Sequence, residues 1–143
     1  MHKVLLDVNV IIDFIDPHRQ RHQDAVSLLQ YLLMNSYDIC VTEDMLSTIY
    51  YITKNKEKTL RFFEDVILKR WIVLSFGTEV LTQAVSMSLE TKKDFEDLLQ
   101  CLCAKNNGCK MVITNDVKFY NCGITTMTTK TFLHAENLVK SIG

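Results

Sequence analysis

The feature that most constrains this chain is its start, Lys3 to Asp13, KVLLDVNVIID, where the apolar run Val4-Leu5-Leu6 stops on Asp7 and Asn9 follows two residues later. A short Val- and Leu-rich run closed by polar residues, with a helical apolar pattern resuming behind it, reads as a buried strand feeding a helix. Asp7 then stands at the carboxyl end of a central strand. In open α/β sheets that edge is where ligands bind, so the other acids delivered to it decide the chemistry.

Behind the first strand, Val10 to Phe14 fits a short helix that breaks at Asp16-Pro17, because proline disfavours helix in the residue before it. A helical period from about Gln20 to Met34 precedes a second strand, Tyr37 to Val41, after which Thr42 is placed to cap a helix carrying Met45, Leu46, Ile49, Tyr50 and Ile52. Asn55 to Lys58 reads as a polar break. Helix (Leu60 to Ile67), strand (Trp71 to Phe76) and helix (from Glu79) follow, with Glu90 to Lys93 as a charged loop. Asp94 opens a helix that stops at Asn106-Asn107-Gly108; Met111 to Ile113 forms a fourth strand, Ile124 to Met127 a short fifth, and a last helix starts near Lys130. Strands separated by helices throughout imply parallel crossovers. The expected class is α/β, a three-layer α/β/α arrangement around a mostly parallel sheet of four to five strands, in a single domain over residues 1–143.

Separated segments then deliver acids to one edge. Asp7 ends the first strand, Asp116 follows the fourth by way of Thr114-Asn115, and Asp94 and Asp97 lie at the amino end of the helix leading into that strand. Residues at i and i+3 share a helix face. Carboxylates gathered this way disfavour one another's ionisation, a cost that a divalent cation removes. Oxygen-only ligands favour Mg²⁺ or Mn²⁺, suited to phosphodiester hydrolysis, with Asn9 and Thr114 orienting the carboxylates or waters. Taken singly, each of these acids has an ordinary role as a cap or turn former.

Other features are less directive. The formal net charge of -1 gives no global attraction to a polyanion, so a local basic surface, a metal or a second subunit must supply it. Lys92 and Lys93, beside Asp94, are the better candidates for guiding RNA than the Lys54 to Lys58 segment. His18 and His22 have a zinc-ligand spacing but sit among Arg19, Gln20 and Arg21, a solvated helix start. Five cysteines without a disulfide-framework spacing point to reduced thiols and a cytoplasmic protein. The start does not read as a signal peptide, and no run nears the ~18 apolar residues that span a bilayer. A phosphatase with Asp7 as nucleophile wants a second acid two residues on, where this chain has Asn9.

LLDVNVIIDFI, DFEDLLQCLCAKNNGCKMVITND and ITTMTTKTFL, in order and spacing over nearly the whole chain, resemble the PIN-domain family, especially its small single-domain bacterial toxins of the VapC kind. The resemblance implies a metal-dependent ribonuclease, commonly dimeric and the toxin of a toxin-antitoxin pair, with a protein antitoxin as partner. By that pattern Asp7, Asp97 and Asp116 match the first, third and fourth acidic positions, and Asp94 an additional acid. The second position, a glutamate in relatives, is Thr48, in VTEDMLSTIYYI. Its hydroxyl can hold a water but cannot replace a negative ligand; Glu43 and Asp44, at the helix start, are expected to point elsewhere. Either Asp94 compensates, or the chain is a weakened site serving as an RNA- or protein-binding module.

Overall fold

The computed structural model describes the backbone of residues 2–142 and the side chains of residues 2–137. Five parallel strands, β1 (Lys3–Leu6), β2 (Asp38–Thr42), β3 (Ile72–Leu74), β4 (Met111–Ile113) and β5 (Thr125–Met127), form one sheet in the order β3-β2-β1-β4-β5. β1 is central. Val4, Leu5 and Leu6 point to alternate faces and are all fully buried, so both faces of the sheet are covered. The covering elements are α1 (Val8–Ile15), α2 (His22–Met34), α3 (Glu43–Ile52), α4 (Lys56–Phe62), α5 (Leu68–Arg70), α6 (Gly77–Thr91), α7 (Phe95–Asn106) and α8 (Thr129–Ile142). A π-helical turn, Phe63–Ile67, joins α4 to α5.

The three-layer class and the parallel sheet agree with the sequence. Several boundaries do not, each for a local reason. Asn55 to Lys58 opens α4 instead of breaking the chain, because the Asn55 side chain accepts from the Lys58 N–H at 3.0 Å and caps the helix. Glu90 and Thr91 complete α6, which ends on Lys92 in a left-handed conformation (φ 63°). The third strand is shorter than Trp71 to Phe76, and Trp71 closes α5 by position. At the end of α7 the expected stop holds: Gly108 adopts φ 74°, a turn a β-carbon would strain, and Cys109 N–H donates to the Ala104 carbonyl at 2.9 Å.

α7 is the helix that positions the site. Every residue from Leu98 to Ala104 is buried, and its amino end overlies the carboxyl edge of the sheet where β1 and β4 finish. Register fixes that edge: Leu6 pairs with Ile113, and the Asp7 N–H donates to the Ile113 carbonyl at 3.0 Å.

Candidate active site

Asp7 leaves β1 as the N-cap of α1. One carboxylate oxygen, Oδ1, accepts from the Val8 N–H at 2.8 Å, and the other, Oδ2, accepts from the buried Thr114 hydroxyl at 2.7 Å. Thr114 is thus bound to Asp7 directly. Its Oγ1 also accepts from the Asp116 N–H at 3.1 Å, which shapes the turn carrying the Asp116 carboxylate. Asp97, half-buried in the first turn of α7, accepts from the Tyr120 N–H at 3.2 Å through Oδ2.

Burial pushes the Asp7 carboxyl above its ordinary range; the Thr114 and Val8 hydrogen bonds pull against that, and the nearby Asp116 charge adds to it. Asp97 is raised by desolvation first, the Tyr120 bond opposing and the charges of Asp94, Asp116 and Asp7 reinforcing. Glu96, which sequence reasoning did not single out, is raised in the same way, by partial desolvation and then by Asp44, Asp94 and Asp7. The carboxylates of two strand ends and one helix start therefore act on one another's charge. Asp7 and Asp97 bind protons more tightly folded than unfolded. The ion-free fold should then carry this increment at about pH 4, near the unfolded carboxylate value, and lose it by about pH 8 as pH rises through the raised pKa values. Urea midpoints measured in chelator at the two pH values should show this difference, and it should shrink in Asp7→Asn; midpoints that rise with pH in both proteins would contradict it.

The other expected residues occupy distinct places. Asp94 is exposed and caps α7, its Oδ1 accepting from the Asp97 N–H at 2.9 Å. Asn9 is exposed on the first turn of α1. Lys93 lies over the Tyr120 ring, 5.4 Å from its centroid, while Lys92 is exposed and its backbone turns the chain from α6 toward α7. Thr48, half-buried, donates to the Asp44 carbonyl of its own helix at 3.3 Å. The Asp44 carboxylate crosses to α7, accepting from Gln100 Nε2 at 3.1 and 3.3 Å. Glu43 does point elsewhere, accepting from the Ser75 hydroxyl at 2.8 Å. His22 Nδ1 is paired with the Asp13 carbonyl and Arg19 with the buried Asp13 side chain, so this basic turn serves its own fold.

One segment, Asp116 to Gly123, is fastened along α7 by residues four apart. Lys93 meets the Tyr120 ring, Asp97 the Tyr120 N–H, Cys101 bonds Cys122, and Lys105 Nζ donates to the Cys122 carbonyl at 3.3 Å. The Cys101–Cys122 disulfide, with Cα atoms 6.2 Å apart, corrects the expectation that all five cysteines are thiols; Cys40, Cys103 and Cys109 are free and buried. The pairing joins a helix to a loop far along the chain, which residue spacing alone does not reveal.

Among the described residues, no three His, Cys, Asp or Glu side chains converge into a ready metal cage. The donor set nonetheless fits a hard divalent cation in kind. It is all oxygen, and desolvation, reinforced by the nearby Asp116 charge, raises the carboxyls of both Asp7 and Asp97. Asp7, Asp97 and Asp116 are the residues that could hold such an ion.

A parallel five-stranded sheet with acids at the ends of β1 and β4 and at the start of α7 defines a class, and the comparison bears it out: residues 3–118 match the model of the PIN domain, and the chain belongs to the PIN-domain family. It is 34% identical over 139 residues to ribonuclease VapC1 of Aquifex aeolicus (strain VF5), across 94% of this chain and 96% of that protein. The fold is shared with Mycobacterium tuberculosis VapC20, a toxin that cleaves the sarcin-ricin loop, at TM-score 0.68 and 12% identity over 85% of this chain and 96% of that one. It is also shared with DNA-bound VapBC from Salmonella typhimurium, at TM-score 0.66 and 21% identity over 90% and 99% of the two chains.

Proposed function

We propose that this protein is a Mg²⁺- or Mn²⁺-dependent endoribonuclease, the toxin of a toxin-antitoxin pair acting in the cytoplasm. The observation that supports the reading is the placing of Asp7, Asp97 and Asp116 near one sheet edge, where Asp7 feels the charge of Asp116 and Asp97 feels that of both. Kinship with ribonuclease VapC1 supports the reaction class, and likeness to VapBC complexes supports a protein antitoxin.

A divalent cation, when bound, supplies the positive charge that offsets the carboxylates and stabilises charge developing on a phosphodiester. The chain's own residues set the stage. Thr114 fixes the plane of the Asp7 carboxylate and, through the Asp116 N–H, the turn that presents Asp116. Tyr120 N–H fixes Asp97, and Asp94 acts through α7 by capping it. Lys93, held over Tyr120, places a cation beside the acids that can meet RNA phosphate, with Lys92 next to it. Leu81, Val85 and Leu89, spaced four apart and exposed on α6, supply an apolar stripe consistent with a homodimer.

The experiment is incubation of the purified protein with structured RNA and transfer RNA, with and without chelator. Cleavage that disappears on chelation and returns with Mn²⁺ is expected; cleavage indifferent to full chelation would overturn the metal dependence. A second reading, a PIN-fold binding module, is favoured by one observation, the turn of Thr48 back onto its own helix. RNA binding without cleavage, together with no heat of Mn²⁺ binding at millimolar concentration, would select it.

A further inference from the structure

We infer that Asp44 is the acidic group that stands in for the carboxylate absent at Thr48, and that Gln100 is the positioning residue that aims it along the carboxyl edge of the sheet. The inference rests on the metal-dependent ribonuclease reading and adds a residue to that site.

Three observations carry it. Asp44 and Thr48 are four apart on α3 and so share one face, with Asp44 a turn nearer the strand ends. Next, the Asp44 carboxylate is held across a gap between elements, both oxygens accepting from Gln100 Nε2 at 3.1 and 3.3 Å and Oδ1 also lying 2.5 Å from the Thr42 hydroxyl. Finally, Gln100 is 4% exposed in the middle of a run, Leu98 to Ala104, that is otherwise apolar. A buried amide is costly unless its hydrogen bonds are made. Here Nε2 donates to Asp44, and the fully buried Thr42 hydroxyl lies within reach of both Asp44 Oδ1 and Gln100 Oε1, its one proton shared between them, so the glutamine is held against Asp44.

Sheet order supplies the rest. β2, β1 and β4 are adjacent, and neighbouring parallel strands lie about 4.8 Å apart. Asp44, Asp7 and Asp116 each follow the end of one of these three strands, with the Asp7 strand in the middle. α7 lies over this edge, and its Glu96 and Gln100, four apart, share the face nearest Asp44. Two other acids are held elsewhere, Asp94 capping α7 and Glu43 accepting from Ser75 on the β3 side, while Glu96 on α7 feels the charges of both Asp44 and Asp7.

The test compares wild type with Asp44→Asn, Gln100→Met, and Asp44→Asn combined with Thr48→Glu. Each is read by kcat and KM for RNA cleavage, Mn²⁺ affinity by calorimetry, and Tm. Asp44→Asn should lower kcat about 10- to 100-fold and weaken Mn²⁺ binding about tenfold with KM little changed, the range seen when groups supporting a metal site are removed. Gln100→Met should follow in the same direction by less. Thr48→Glu should restore most of the loss, since it returns a carboxylate to the same helix face. Wild-type kcat and Mn²⁺ affinity in a folded Asp44→Asn would overturn the assignment, as would a loss that tracks a fallen Tm and that Thr48→Glu does not rescue. Wild-type protein that neither cleaves RNA nor binds Mn²⁺ would instead overturn the ribonuclease reading and this assignment together.

Discussion

Asp7→Asn is expected to lower kcat for RNA cleavage by on the order of 10³-fold while leaving the fold at least as stable as wild type. The two halves have separate causes. Activity depends on the negative charge at the end of β1, which an amide does not provide. Stability depends on what the side chain bonds, and an asparagine keeps those partners: its oxygen can accept from the Val8 N–H as the N-cap of α1, where Asn and Asp are equivalent, and its amide can donate to the Thr114 hydroxyl. Burial and the Asp116 charge oppose ionisation of Asp7, so neutralising it removes a cost of folding in the ion-free state. Single-turnover cleavage beside thermal melts in chelator reads both. A stable variant with unchanged kcat would remove Asp7 from the chemistry. A variant that loses activity only because it unfolds would make the residue structural.

Phe132→Ala should do the reverse. Phe132 is fully buried and meets the rings of Tyr31 and Tyr37 edge-on, at centroid distances of 5.6 and 6.0 Å, so it clamps α8 to α2 and to the approach of β2. Tyr31 strengthens the same seam by donating to Glu136 at 2.7 Å, and burial with that carboxylate pushes its phenol up to about 12. Truncating a buried phenylalanine costs about 3–5 kcal/mol, which for a chain of this length lowers Tm by roughly 10 °C or more. The site lies at the far end of β1 from Tyr37, so kcat of the folded fraction at low temperature should stay within about twofold of wild type. A melt within a degree or two of wild type would show that α8 is not anchored through this ring.

The pattern of what was legible follows from range. β1 and Asp7 were readable because a buried parallel strand is a continuous apolar run and its end is marked by the first charge. α7 and β4 were readable for the same kind of local reason, periodicity closed by Asn107-Gly108. Thr114 was named as an orienting group, and it is bonded to Asp7 across 107 residues. The Asp44–Gln100 bond was not legible because a residue in the first turn of a helix can turn toward its own backbone or toward a neighbour, and only the neighbour decides. The available signal was Gln100, a lone amide in an apolar run that demands a partner. The Cys101–Cys122 pairing and the left-handed Lys92 left no such trace, since both are fixed by where distant segments meet. Asn55 could have been read as a cap, its spacing to Lys58 being that of a side chain reaching the third helical N–H.

The central place of β1 also governs when the carboxyl edge of the sheet can be completed during synthesis. β2 reaches one side of β1 early, but β4, on the other side, emerges more than a hundred residues after Asp7. At translation rates of about 5–20 residues per second the interval is roughly 5–20 s. Throughout it, the growing chain carries Asp7 on a strand with an open edge and has neither the Asp116 turn nor its Thr114 support. An edge built in this order cannot bring Asp7 and Asp116 together until β4 has emerged.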